Sequence, residues 1–267
     1  MASSNPALSR NAAFKANPTA EDLQRLYDLP SANRAPERTL TVEDTVVKSF
    51  ITFLVLVVGA AIGWVLLLTN PAVGTTVTFV SAIVAFVFAM IALFKRTPSP
   101  TMVLLYALAQ GIAIGAISLT YESFYNGIIL QAVIGTLAVV GVTLALFASG
   151  KIRASARATK IFMIVFIAYI LYSVVNMFLL MFGALDASQN PWGMDGIQIF
   201  GIPLGIILAP VIILLGAYSL VLDFDMIKQG VANKAPAAFA WTGALSVTIT
   251  VVWLYMQILR ILAIARN

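Results

Sequence analysis

Seven long apolar runs constrain this chain more than any other feature of its sequence. Each run is close to the roughly 20 residues that an α-helix needs to cross a hydrocarbon core about 30 Å thick. The strands of a membrane β-barrel are about half as long and alternate polar with apolar residues, which these runs do not. We therefore predict an all-α polytopic membrane protein with seven transmembrane helices. The runs cover residues 46–68, 72–94, 102–121, 127–149, 161–183, 199–222 and 239–259.

The composition excludes most enzyme classes. Hydrophobic residues make up 61% of the chain and charged residues 10%, against about 45–50% and 25% in ordinary soluble domains. Histidine and cysteine are both absent. Their absence excludes Ser-His and Cys-His catalysis, thiol redox chemistry, ordinary zinc sites and iron–sulfur clusters. We expect no enzymatic activity and no cofactor.

The distribution of basic residues predicts the orientation of the helices. Of the 16 Lys and Arg residues, all but Arg260 and Arg266 fall on one side of the alternating turns. Since lysine and arginine concentrate in cytoplasmic loops, the N-terminus is predicted inside and the C-terminus outside. This topology accounts for the net charge of +5, so no nucleic-acid partner is needed. The partner that the sequence does require is the lipid bilayer.

The chain divides into a polar segment and a membrane domain. Residues 1–40 are rich in Ala, Asn, Pro and Ser and are predicted to form a flexible cytoplasmic tail, while residues 41–267 form the transmembrane domain. A capping-box pattern occurs at Thr19–Asp22 and again at Thr41–Asp44, directly before the first apolar run. The second instance predicts that helix 1 begins about one turn before the lipid.

Glycine pairs predict close packing in two helices. Gly111 and Gly115 form a GxxxG pattern in helix 3, and Gly201 and Gly205 form another in helix 6. Small residues at this spacing allow helix backbones to approach closely in lipid. Pro203 and Pro210 also predict a kinked or broken helix 6. Helices of this kind line a cavity in some transporters, whereas in many bundles they are only bent.

The end of helix 6 holds the best candidate for a functional site. Asp223 and Asp225 directly follow the sixth apolar run. Two residues apart on a helix, they point about 200° away from each other. Asp225 can reach Lys228 or Gln229 at helical spacing and is interpreted mainly as a solvated residue. Asp223 lies deeper, and we consider both a gating or ion-pathway role and a structural hydrogen bond for it.

Several stretches together resemble a known family. They are LTVEDTVVKSF before helix 1, YALAQGIAIGAIS in helix 3, LQAVIGT in helix 4, YSLVLDFDMIKQGV at the end of helix 6 and WLYMQILRILA in helix 7. In this order they resemble the Bax inhibitor-1 family, also called the transmembrane Bax inhibitor motif or YccA-like group, in its actinobacterial variant. The resemblance implies a bacterial plasma-membrane protein in which the other six helices surround helix 7.

The resemblance also implies a pH-sensitive calcium leak that depends on paired aspartates. The family's helix 6 aspartate corresponds to Asp223. The positions of its helix 7 aspartate and its helix 3 acid are occupied here by Thr250 and Gln110, which are neutral. A pair of carboxylates that share a proton cannot form here as in those relatives. An Asp223–Thr250 hydrogen bond can replace it.

Two functions remain open from the sequence. The first is a passive, pH-modulated leak for calcium or other cations, with Asp223, Asp225 and Thr250 along the pathway. Asp223 would then bind calcium only weakly and transiently, because calcium prefers six to eight oxygen ligands. With no histidine, pH sensing has to use carboxylates. The second function, which the resemblance also implies, is regulation without conduction, through binding of a membrane protease or another stress-response partner.

Overall fold

Seven long helices make up nearly all of the computed structural model, which describes residues 38–95, 99–185 and 190–266. All seven are long and apolar enough to cross a membrane. The prediction of an all-α protein with seven transmembrane helices is therefore confirmed. The helices are α1 (Val42–Thr69), α2 (Pro71–Phe94), α3 (Pro100–Phe124), α4 (Ile128–Ala148), α5 (Ala156–Met181), α6 (Leu204–Ala232) and α7 (Ala240–Arg266).

The predicted flexible tail falls almost entirely on residues 1–37, which lie outside the described residues. The same is true of the first capping pattern, at Thr19–Asp22. The second pattern is visible: α1 begins at Val42, one turn before the apolar run, with Thr41 as its N-cap. The backbone N–H of Asp44 donates to Thr41 Oγ1 at 3.0 Å, which satisfies a free N–H of the first turn.

Glycines bring α1 and α3 into backbone contact. A Cβ atom added at Gly111 would collide with the carbonyl oxygen of Leu56, and one added at Gly115 would collide with that of Ala60. Gly59 on α1 faces the backbone of α3 in the same way. Close backbone approach gives helices dispersion contacts that lipid tails cannot replace.

Helix α6 differs from its predicted bounds of 199–222 at both ends. It begins only at Leu204, because Pro203 lacks an N–H and the residue before a proline favours an extended backbone. Two short antiparallel strands, β1 (Gln198–Ile199) and β2 (Ile202–Pro203), precede it. Gly201 lies in their turn at φ +79°, where an added Cβ would touch nothing. The prediction of a helical GxxxG pair at Gly201 and Gly205 is therefore wrong.

Gly205 itself is buried at the start of α6. A Cβ atom there would lie 2.7 Å from Cδ1 of Ile264 and 3.1 Å from Cβ of Asp195. At its other end α6 continues past the apolar run to Ala232, so Asp223 and Asp225 both lie within the helix. Pro210 is within the helix as well.

Helix α7 contacts most of the bundle, whereas α5 is packed loosely. Backbone contacts join α7 to α1, α3, α4 and α6, and its buried residues include Leu245, Leu254 and Leu259. Only two residues of α5 are buried, Phe162 and Asn176. Aromatic side chains bridge α5 to α6 and α7, such as Phe166, whose ring centroid lies 6.1 Å from that of Trp253.

Two ends of the bundle can be distinguished by their hydrogen bonds. On the first, which we call the Lys48 side, Lys48 at the start of α1 donates to the carbonyl of Ala237 in the α6–α7 turn at 2.8 Å. On the second, the Arg260 side, Arg266 at the end of α7 donates to the carbonyl of Asn126 in the α3–α4 turn at 2.9 Å. The topology predicted from charge makes the Lys48 side cytoplasmic.

Candidate functional site at Asp223

A buried carboxylate connects α6 to α7. Asp223 is only 6% exposed. Ser246 Oγ donates to its Oδ1 at 2.5 Å, and Thr250 Oγ1 donates to its Oδ2 at 2.7 Å. Ser246 and Thr250 are four residues apart and therefore lie on one face of α7. Both carboxylate oxygens are thus held by one helix face, and we call these three residues the Asp223 site.

The donors to Asp223 in this site are two neutral hydroxyl groups. No Lys or Arg among the described residues pairs with Asp223, and the described residues contain no group of three or more His, Cys, Asp or Glu able to hold a metal. One carboxylate and two hydroxyls are far fewer oxygens than the six to eight that calcium prefers.

The hydrogen bond predicted between Asp223 and Thr250 is present, but sequence reasoning missed Ser246. The spacing of Ser246 from Thr250 was an available signal, because residues four apart share a helix face. Gln110 forms no side-chain hydrogen bond with the described residues.

Asp225 is not part of the same site. Its carboxylate accepts from Gln229 Nε2 at 2.6 Å, as the helical spacing predicts. It lines a small cavity together with Arg153 and Lys228, on a different face of α6 from Asp223. The two aspartates therefore cannot act on one ion together.

A stripe of side chains continues from the Asp223 site along α7. Its members are spaced alternately four and three residues apart, which keeps them on one helix face. The rings of Trp253 and of Tyr169 on α5 form a T-shaped pair, with 6.1 Å between their centroids. Tyr169 in turn donates to Oε1 of Gln257 at 2.9 Å. The stripe comprises Ser246, Thr250, Trp253, Gln257 and Arg260.

The stripe ends at a second buried acid. Arg260 forms an ion pair with Asp195, which belongs to the short 3-10 helix Gly193–Gly196 between α5 and α6. The hydroxyl of Tyr172 on α5 donates to Asp195 Oδ1 at 2.5 Å. We call Asp195, Arg260 and Tyr172 the Asp195 site; sequence reasoning singled out none of these residues as functional.

Comparison with known proteins identifies the family of the chain. A search of curated protein sequences gives no match. The model of the family described as Bax inhibitor 1 like matches residues 5–267, nearly the whole chain. The seven transmembrane helices and this match agree with the resemblance found in the sequence, although the actinobacterial branch remains a prediction. The chain is a multi-pass membrane protein that belongs to the Bax inhibitor 1 like family.

Proposed function

We propose that this protein is a passive, pH-modulated leak for calcium or other cations, without enzymatic activity, in a bacterial plasma membrane with its N-terminus in the cytoplasm. The observation that supports this function is the Asp223 site. A carboxylate buried within a transmembrane helix is costly, and such residues usually mark ion or proton pathways.

The two hydroxyls make the site responsive to protonation. Hydrogen bonds to an ionised carboxylate are roughly twice as strong as bonds between neutral groups. When Asp223 takes up a proton, its bonds to Ser246 and Thr250 weaken and one oxygen becomes a donor. The contact between α6 and α7 then loosens, so the leak increases as the pH falls.

A single carboxylate also fits the requirements of conduction. A permeating cation has to bind well enough to enter and weakly enough to leave. Asp223 with two hydroxyls provides such a weak site. The mechanism needs no second acid, because the hydroxyls of α7 take over its structural role without adding like-charge repulsion.

Calcium entry into proteoliposomes tests the proposal. Flux is measured at two pH values, about pH 6 and about pH 8. We expect wild-type flux to be higher at pH 6, and Asp223→Asn to conduct equally at both values because it is fixed in a neutral form. Asp225→Asn is the matched control: it removes an acid two residues away and should keep the wild-type pH dependence. Wild-type flux no greater than that of empty liposomes would contradict the proposal.

A second function is favoured by the loose packing of α5. With only Phe162 and Asn176 buried, this helix leaves most of its surface free for another membrane protein. A non-conducting regulator that binds a membrane protease would use such a surface. Silence of the purified protein in liposomes, together with copurification of a membrane protease, would support this alternative.

A further inference from the structure

Residues 192–196, in the loop between α5 and α6, are packed into the Arg260 side of the bundle. We call this segment the plug. The ring of Trp192 lies 6.1 Å from that of Tyr121 on α3. Asn176 of α5 accepts from the backbone N–H of Met194 at 2.7 Å and donates to the carbonyl of Trp192 at 3.1 Å. Asp195 touches the start of α6 at Gly205, where there is no room for a side chain.

The plug is joined to α7 by the Asp195 site. Asp195 is 4% exposed, and both of its oxygens are in use: Oδ1 accepts from Tyr172 and Oδ2 pairs with Arg260. A buried ion pair contributes little net stability, since desolvation offsets its attraction. Loss of one partner is nevertheless severe, because the other charge is left buried and unpaired. These properties suit a contact that has two discrete states.

The two acids hold the same helix face at two levels. Thr250 and Arg260 are ten residues apart, which corresponds to about 15 Å along α7. Trp253 and Gln257 lie between them on the same stripe, packed against Tyr169 of α5. A cation that passed along this stripe from the Asp223 site would next meet the Asp195 site.

From this arrangement we infer that the Asp195 site is a second gate, which closes the α7 stripe on the Arg260 side. In the closed state the guanidinium of Arg260 pairs with the Asp195 carboxylate, so that a metal cation cannot bind there, and the plug covers the stripe. In the open state Arg260 leaves Asp195, the plug loosens, and the carboxylate becomes available to cations entering from that side. The cation pathway rests on the proposed function, but closure of the stripe can be measured separately.

Thiol labelling measures this closure directly. The chain has no cysteine, so Gln257→Cys places one thiol on the stripe, between the two sites. In nanodiscs, a charged methanethiosulfonate reagent that cannot enter lipid should label this thiol slowly. Adding Arg260→Gln should accelerate labelling by about tenfold or more, because loss of one partner of a buried pair exceeds the 1.4 kcal/mol that corresponds to a factor of ten.

Two controls separate opening of the gate from general loosening. Arg266→Gln removes another arginine of α7, six residues further on, which bonds to Asn126 and Gln131 rather than to the plug. It should not accelerate labelling. A cysteine at Ile170, which is 47% exposed on the outer surface of α5, should remain unlabelled in every background, because lipid excludes the reagent there.

The outcomes distinguish this inference from the proposed function. Equal labelling rates with and without Arg260→Gln, or equal acceleration by Arg266→Gln, would overturn the gate. If Arg260→Gln does not fold, Tyr172→Phe, which removes one hydroxyl, replaces it and should give a smaller acceleration; no acceleration would again overturn the gate. Faster labelling without calcium flux would support the gate and contradict the proposed leak. Calcium flux without faster labelling would support the leak and contradict the gate.

Discussion

The two buried aspartates that face α7 are held by different partners, and the difference separates their roles. Asp223 accepts from two neutral hydroxyls, Ser246 and Thr250. Asp195 is paired with the charged guanidinium of Arg260. Asp223 can therefore lose its charge without leaving another charge unpaired, whereas neutral Asp195 would leave a cation partly buried. In the proposals made above, Asp223 is the proton sensor, and Asp195 holds the contact between the plug and α7.

The largest expected effect comes from Asp195→Asn. Arg260, with 27% of its side chain exposed, would lose its counter-charge, so we expect the free energy of unfolding to fall by about 2–4 kcal/mol. Unfolding by a denaturing detergent measures this change. The double variant Asp195→Asn/Arg260→Gln should be more stable than Asp195→Asn alone. A double variant that is less stable than either single variant would contradict the buried-pair account.

Gly115→Ala should have the next largest effect and supplies a control for general destabilisation. The added Cβ would collide with the carbonyl of Ala60, and overpacking of this kind costs about 1–3 kcal/mol. The same unfolding assay measures the loss. Because α1 and α3 contribute nothing to the Asp223 site, the pH dependence of calcium flux should stay that of wild type. An altered pH dependence would contradict the proposed role of Asp223, because it would show that any loosening of the bundle changes the flux in the same way as protonation of Asp223.

Thr250→Val should reduce stability less, by about 0.6–1.7 kcal/mol, which are the average and the largest values measured for interhelical hydrogen bonds in a membrane protein. Valine keeps the shape of threonine and removes one donor to Asp223. Unfolding of this variant beside Asp223→Asn/Thr250→Val provides a double-mutant cycle. A coupling energy near zero would show that the Asp223–Thr250 hydrogen bond contributes nothing.

Asp225→Asn should have the smallest effect, within about 0.5 kcal/mol of wild type, as is usual for surface positions. Its partner Gln229 lies on an exposed part of α6, so solvent can replace the lost contact. Unfolding midpoints of the two proteins, measured side by side, check this expectation. A loss as large as that of Thr250→Val would remove the contrast between the two aspartates of α6.

Most of the helices could be predicted from the sequence because lipid imposes one strong rule on length and polarity. That rule no longer applies where a helix leaves the hydrocarbon, and the predicted α6 therefore ended at residue 222 although the helix continues to Ala232. At the other end, Pro203 and Gly201 belong to a turn, although a GxxxG pattern read along the sequence resembled a packing motif.

The hydrogen-bond and ion-pair partners of Asp223 and Asp195 could be predicted from the sequence only in part, because they depend on how the helices and loops pack. The Asp223–Thr250 hydrogen bond was anticipated because the family resemblance aligned Thr250 with an acid. The resemblance did not point to Ser246, so its hydrogen bond to Asp223 was not predicted. Asp195 and Arg260 are 65 positions apart in a chain whose charges mostly mark loops, and no local pattern indicates that they meet. Only the folded α5–α6 loop brings them together.

The central claim is that the hydroxyls of α7, rather than a second acid, hold the leak closed at high pH. The most direct test is calcium flux at about pH 8 through Ser246→Ala/Thr250→Val, which leaves Asp223 intact. Loss of two interhelical hydrogen bonds of about 0.6 kcal/mol each corresponds to a several-fold shift of the closed state. We therefore predict that flux at pH 8 rises several-fold, toward the wild-type level at pH 6. Flux at pH 8 that stays at the wild-type value, in a variant that folds normally, would contradict the account.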